Sequence, residues 1–147
     1  MREGIPSTSL LMSVELHDGV EVIEKEAFYE CRSLREILFP PTVRAIEEGA
    51  FFGCSGLTAA ILNEGLEEIG VGAFNDSTLV RIDIPPSVRA IKDWAFADCS
   101  RLTTAILNYG LEEIGEQAFI RFALVQIVIP PRSGRSRIGH SVIALGW

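Results

Sequence analysis

Along residues 11–131 the apolar and polar positions recur at a long interval rather than at the short period of a single helix or strand. The dipeptide Ala-Phe sets the register at Ala27-Phe28, Ala50-Phe51, Ala73-Phe74, Ala95-Phe96 and Ala118-Phe119, at spacings of 23, 23, 22 and 23 residues. A period of about 20–50 residues marks a chain wound into stacked coils. The units open at Leu11, Leu34, Leu57, Leu79, Leu102 and Leu124, the last of them incomplete. Each begins with a short alternating stretch: in Leu79-Val80-Arg81-Ile82-Asp83-Ile84 the pattern predicts a strand with Ile82 and Ile84 inward. Equivalent inward pairs are Val14 and Leu16, Ile37 and Phe39, Ala60 and Leu62, Ala105 and Leu107, Ile127 and Ile129. Successive coils are expected to stack these strands in parallel, about 4.8 Å apart.

Two kinds of turn follow the strand. Units two, four and six use Pro40-Pro41, Pro85-Pro86 and Pro130-Pro131, whereas units one, three and five use His17-Asp18-Gly19, Asn63-Glu64-Gly65 and Asn108-Tyr109-Gly110. Proline withholds a ladder donor and glycine admits positive φ, so each ends a strand by its own means. A second extended segment then places Val20 and Ile23, Val43 and Ile46, Leu66 and Ile69, Val88 and Ile91, Leu111 and Ile114 inward. At the Ala-Phe turn phenylalanine is expected to stack on phenylalanine along the array. The result is a mainly β repeat solenoid with short parallel strands and little helix. Residues 1–10 form an N-terminal extension, 11–131 the solenoid of five complete units and one partial, and 132–147 an irregular basic tail.

The alternating turns create a longer period of 45 residues: PPTVRAI at 40–46 returns at 85–91 as PPSVRAI, and ILNEGLEEIG at 61–70 returns at 106–115 as ILNYGLEEIG. One column of the second segment reads Glu21, Arg44, Glu67, Arg89, Glu112. Each acid there meets only bases on adjacent coils, a ladder that fixes register more than it adds stability.

Charge and composition narrow the function. Of 20 acidic and 13 basic residues, Arg132, Arg135 and Arg137 lie in the tail, leaving the repeat body at about −10. Such a field opposes nucleic acid, whose binding depends on cations at phosphates. No apolar run reaches the roughly 18 residues of a membrane span, so no membrane insertion is expected. Leu10-Leu11-Met12 is too short for the h-region of a signal peptide.

Catalytic, cofactor and metal sites are not expected. The two histidines, His17 and His140, stand in a turn and in the tail without ligand spacing. Gly70-Val71-Gly72 follows from the repeat register and lacks the lysine of a phosphate loop. Glu67-Glu68 and Glu112-Glu113 read as solvated charges with no pocket around them. Cys31, Cys54 and Cys99 share one column and predict a buried line of thiols; Cys31 and Cys54 fall on adjacent coils, and reduced core residues are the preferred reading over a disulfide.

The unit Leu-x-x-Ile-x-Ile-Pro, Val-x-x-Ile, Ala-Phe-x-x-Cys resembles the BspA-like class of leucine-rich repeats over residues 11–131. The resemblance implies a right-handed coil and a family of surface and secreted proteins used in adhesion and protein binding; it brings no catalytic residues. Ser77 and Phe122 depart from the cysteine column, with one residue deleted after each, and the repeat fails after Pro131.

Binding is expected on the outward side of the first strand. Leu38, Ile61, Asp83, Ile106 and Val128 are equivalent there, four of the five apolar, and Glu36, Ala59, Arg81, Thr104 and Gln126 flank them with chemistry that changes from coil to coil. The partner-binding set is Leu38, Ile61, Arg81, Asp83, Thr104, Ile106, Gln126 and Val128. An apolar stripe on a constant frame suits a protein, or a glycan, as partner. Trp94, in a column of unlike residues, and Tyr109, at a turn tip, are further exposed anchors. The alternative is a structural interior segment of a longer array; without polar caps, its ends would favour self-association.

Overall fold

The computed structural model describes residues 12–120 and 126–128. Among them are eleven short strands and no helix. The first strand of each unit is β1 (Ser13–Glu15), β3 (Glu36–Leu38), β5 (Ala59–Ile61), β7 (Arg81–Asp83), β9 (Thr104–Ile106) or β11 (Gln126–Val128); the second is β2 (Val22–Ile23), β4 (Ala45–Ile46), β6 (Glu68–Ile69), β8 (Ala90–Ile91) or β10 (Glu113–Ile114). Every pairing is parallel and joins equivalent residues, such as Ile37 with Ala60 and Ile46 with Ile69. The second strands form one continuous five-stranded sheet, while the first strands divide into β1-β3-β5 and β7-β9-β11.

Burial follows the predicted columns. Phe28, Phe51, Phe74, Phe96 and Phe119 are all core residues, their rings 5.1 to 5.4 Å apart and within 10° of parallel. At the first four Ala-Phe turns the backbone is tied to the next coil: Phe28 N–H donates to Ala50 C=O at 2.7 Å, and Phe51 N–H to Ala73 C=O at 2.8 Å. In the second sheet donation runs the other way, Arg44 N–H to Glu21 C=O and Glu67 N–H to Arg44 C=O. Both polar groups of the backbone thus find partners through coil stacking, which a chain with so little intracoil structure requires.

Two left-handed residues bracket each of the first four Ala-Phe turns, and one precedes the fifth. Glu26, Gly49, Gly72, Trp94 and Gln117 form one column with φ between 54° and 62°. Glu30, Gly53, Asp76 and Asp98 form the second. The unlike residue types at the Trp94 column therefore share a backbone conformation, and Trp94 itself is half-buried rather than free in solvent.

The alternating turns interlock through side chains. Gly19 N–H donates to the Thr42 hydroxyl at 3.1 Å, and that hydroxyl donates to Val20 C=O at 2.7 Å. Ser87 repeats this between Gly65 and Leu66. In return, Asn63 and Asn108 reach back from glycine turns to proline coils, donating to Val43 C=O and Val88 C=O. Reciprocal fastening of unlike coils accounts for the 45-residue period.

The division between β5 and β7 coincides with the 22-residue unit. Ser77 and Leu79 both keep their buried places, so the missing residue shortens the corner between them. Val80 N–H still reaches Thr58 C=O at 3.3 Å, yet beyond that point β5 and β7 are not ladder neighbours. The sequence lacks a residue after Phe122 as well, yet β9 and β11 pair in register, so the deletion alone does not open the ladder.

Candidate interaction face

The outward side of the first strands combines exposed apolar residues with one internal ion pair. Leu38 and Ile61 are ladder partners on β3 and β5, and remain 63% and 60% exposed. Their inward neighbours Ile37 and Ala60 are buried. Alternation on a half-buried strand therefore places two large aliphatic side chains together in solvent.

On the next coil Asp83 takes the equivalent position and carries its own cation. Arg81 Nε donates to Asp83 Oδ1 at 2.7 Å and a terminal guanidinium nitrogen to Oδ2 at 3.1 Å. The hydrogen bond and the carboxylate charge raise the guanidinium above its ordinary pKa. Thr104 and Ile106 follow on β9, both half-buried. Gln126 and Val128 pair with them in register on β11, while their side chains lie outside the described residues. The six of these positions whose side chains are described lie on the outward side of two ladders, β3-β5 and β7-β9, and are uneven: exposed at Leu38 and Ile61, charged at Asp83 and half-buried at Ile106.

Val80 belongs to this face and was not in the predicted set. It is 46% exposed and helps line a cleft of about 440 Å³ where β5 and β7 part, together with Ala59, Ala60, Ile61, Leu62 and the Arg81–Asp83 pair. The signal was present in its column, where Arg35, Thr58 and Thr103 are polar. Leu62, predicted inward, is only partly buried here because it borders the opening.

Elsewhere single apolar residues, Val22, Tyr29 and Val71 among them, are exposed, and the second sheet carries ion pairs. Across the second sheet Arg44 meets Glu67 at 2.9 Å and Arg89 meets Glu112 at 3.2 Å, two of the four contacts the charge column predicts. Lys25 pairs with Glu48 and Lys92 with Glu113 beside them. Tyr109 is exposed at its turn tip.

The cysteine column is buried, and no disulfide joins Cys31, Cys54 or Cys99. Cys54 donates to Phe28 C=O and Cys99 to Phe74 C=O, at 3.1 and 3.2 Å. Hydrogen bonding to Cys31, with burial, raises the pKa of Cys54; burial pushes Cys99 up to about 11, against a contact with the Ser77 hydroxyl. Such thiols are poor nucleophiles. No group of acidic, histidine or cysteine side chains among the described residues is placed to hold a metal ion.

Residues 8–142 match the BspA type leucine rich repeat region in six copies, and the chain belongs to that family. Among solved structures it is similar to a leucine rich cell surface protein from Faecalibacterium prausnitzii, with 30% identity and a TM-score of 0.79 over 87% of this chain. The chain corresponds to 34% of that protein's length. A leucine rich repeat protein of T. pallidum shares 27% identity over 92% of this chain and 84% of its own, with a TM-score of 0.50. The pneumococcal vaccine antigen PcpA, at 17% identity, shares the fold, with a TM-score of 0.52 over 81% of this chain and 34% of its own. No curated protein matches.

Proposed function

We propose that this chain is a non-catalytic module that binds another protein through the outward face of its first strands. The observation that supports it most is the exposed pair Leu38 and Ile61, side by side on a rigid ladder in a molecule that buries its other repeat-column leucines and isoleucines almost throughout. Burial of aliphatic side chains contributes about 25 cal/mol per Å² of apolar surface, and a partner supplies that burial. An aliphatic patch with few hydrogen-bonding groups suits protein better than glycan. Catalysis does not enter this reading: the thiols are buried, and Arg44, Arg81 and Arg89 are held by carboxylates. The named neighbours, a cell surface protein and a vaccine antigen, favour a surface setting.

Site-specific photo-cross-linking tests the reading. A benzophenone amino acid is placed at Leu38, or at Val22 on the second sheet, and the full chain is exposed to candidate surface partners. The reading expects an adduct from position 38 and none from position 22. Equal adducts from both, or adducts from position 22 alone, would reject the strand face.

A further inference from the structure

The Ala-Phe edge carries an apolar surface of its own, apart from the first strands. Tyr29 and Phe52 occupy equivalent places one residue after the core phenylalanine, and their rings stack at 5.3 Å with an interplanar angle of 6°. Unlike the core phenylalanines they reach solvent: Tyr29 is exposed and Phe52 half-buried. The column continues as Asn75 and Ala97, so the coil does not require an aromatic there. Gly49 and Gly72 border Phe52, an added Cβ on each lying 3.8 Å from its side chain, and their column puts no side chain over it at these two coils. Val71 is exposed beside Gly72. Acids frame the patch. Glu26 stands in the column of Gly49 one coil earlier, Asp76 follows Asn75, and Asp93 takes the place of Val71 one coil on. All three are exposed, and among the described residues no base lies within ion-pair distance of them. The cations nearest in sequence are engaged, Lys25 by Glu48, Arg32 by Glu30 and Lys92 by Glu113, while Arg101 stands a corner further on, before β9.

We propose that this edge docks an extended protein segment in which an apolar pair is flanked by Lys or Arg. The aliphatic side chains contact Tyr29, Phe52 and Val71, and the cations meet Glu26, Asp76 and Asp93. This surface is independent of the strand face and takes a partner of its own. Charge complementarity selects the occupant. An apolar patch alone suits any hydrophobic surface, whereas acids on both flanks disfavour acidic segments and nucleic acid and favour basic ones. The dimensions agree. Glu26 and Asp93 lie three coils apart, roughly 15 Å at about 4.8 Å per coil, and about five extended residues cover that span at about 3.3 Å each. Exposed aromatic rings supply contact area at low conformational cost, and the uncompensated acids steer a cationic segment towards them.

The chain has two tyrosines, Tyr29 on this edge and Tyr109 at the turn between β9 and β10. The full chain labelled with 3-fluorotyrosine gives one fluorine resonance for each, assigned with Tyr109→Phe. The probes are end-blocked hexapeptides: Lys-Lys-Leu-Leu-Lys-Lys, Lys-Lys-Gly-Gly-Lys-Lys and Glu-Glu-Leu-Leu-Glu-Glu. The proposal expects the first to shift the Tyr29 resonance saturably and leave Tyr109 in place, and the other two to bind more weakly by about tenfold or more. Phe52→Asn, which copies Asn75, removes the apolar contact and is expected to weaken the first peptide to the level of the glycine one. Asp76→Asn with Asp93→Asn removes charge, keeps the acceptor that Asp93 offers Glu116 N–H at 2.8 Å, and is expected to weaken it likewise. In each variant a Tyr109 resonance unmoved before peptide is added reports a folded body; if Phe52→Asn displaces it, the double Asn variant decides. The proposal is overturned if the first peptide gives no saturable shift at Tyr29, or if the glycine peptide binds equally well. Equal shifts at both tyrosines overturn it as well, by showing attraction to an acidic chain at large, and so does unchanged affinity in a folded variant.

Discussion

Phenylalanine in the Ala-Phe column is the residue on which each coil closes. Phe74 stacks on Phe51 at 5.2 Å and Phe96 at 5.4 Å and is wholly buried. Phe74→Ala is expected to cost about 3–5 kcal/mol in a urea unfolding series. These residues were legible because an aromatic repeated at fixed spacing has only the core to go to. The left-handed columns were less legible. Gly49 and Gly72 advertise positive φ, but Glu26, Trp94 and Gln117 adopt it because their coil neighbours impose the path. Glu26→Gly is therefore expected to hold or raise stability, by up to about 1 kcal/mol, where most exposed substitutions to glycine lower it. The buried thiols give a pH signature. Cys99 is raised from 9.0 to about 11, so between those values the folded chain retains a proton that the unfolded chain has released. Stability from this group is complete below about pH 9 and is lost as pH rises towards about 11. Urea midpoints on either side of that window are expected to fall with pH, and Cys99→Ala to flatten part of the slope.

At the scale of the coil, alternation of turn types is a fastening device. Thr42 accepts from Gly19 and donates to Val20, and Ser87 does the same for Gly65 and Leu66. Thr42→Ala and Ser87→Ala each leave two backbone groups without that partner, and a loss of about 1 kcal/mol apiece is expected from denaturant midpoints. Gly70 serves the same stacking from the backbone side. A Cβ there would lie 2.7 Å from the Glu47 carbonyl carbon and 2.8 Å from the Ile46 carbonyl oxygen, so the coils would have to separate. Gly70→Ala is expected to destabilise by about 1–3 kcal/mol, as overpacking does. The 45-residue repeat was visible in the sequence, and its charge ladder correctly paired Arg44 with Glu67. The hydroxyl clamp was not visible, because Thr42 and Ser87 are unremarkable residues until a glycine N–H from another coil is set opposite them. The parting of β5 and β7 was equally hidden: a missing residue was evident after Ser77, yet the same deletion after Phe122 leaves its strands paired.

For the whole molecule, stacking has two consequences that pull apart. The core is one continuous column in which inward residues of both sheets and the phenylalanines share burial, so the coils hold each other rigid. The outward side of the first strands is left free of that demand, and Leu38, Ile61 and Val80 occupy it at no cost to the core. Period and alternation predict which side of the first strands points outward, but not its unevenness, since Ile106 is half-covered and Asp83 is neutralised by Arg81. The most direct test of a binding face separate from the core is the double variant Leu38→Lys with Ile61→Lys, measured for capture of the partner identified by cross-linking and for thermal unfolding in parallel. The account predicts capture lost with the melting transition and far-UV spectrum unchanged. Capture retained by a folded variant, or a transition displaced to markedly lower temperature, would contradict it.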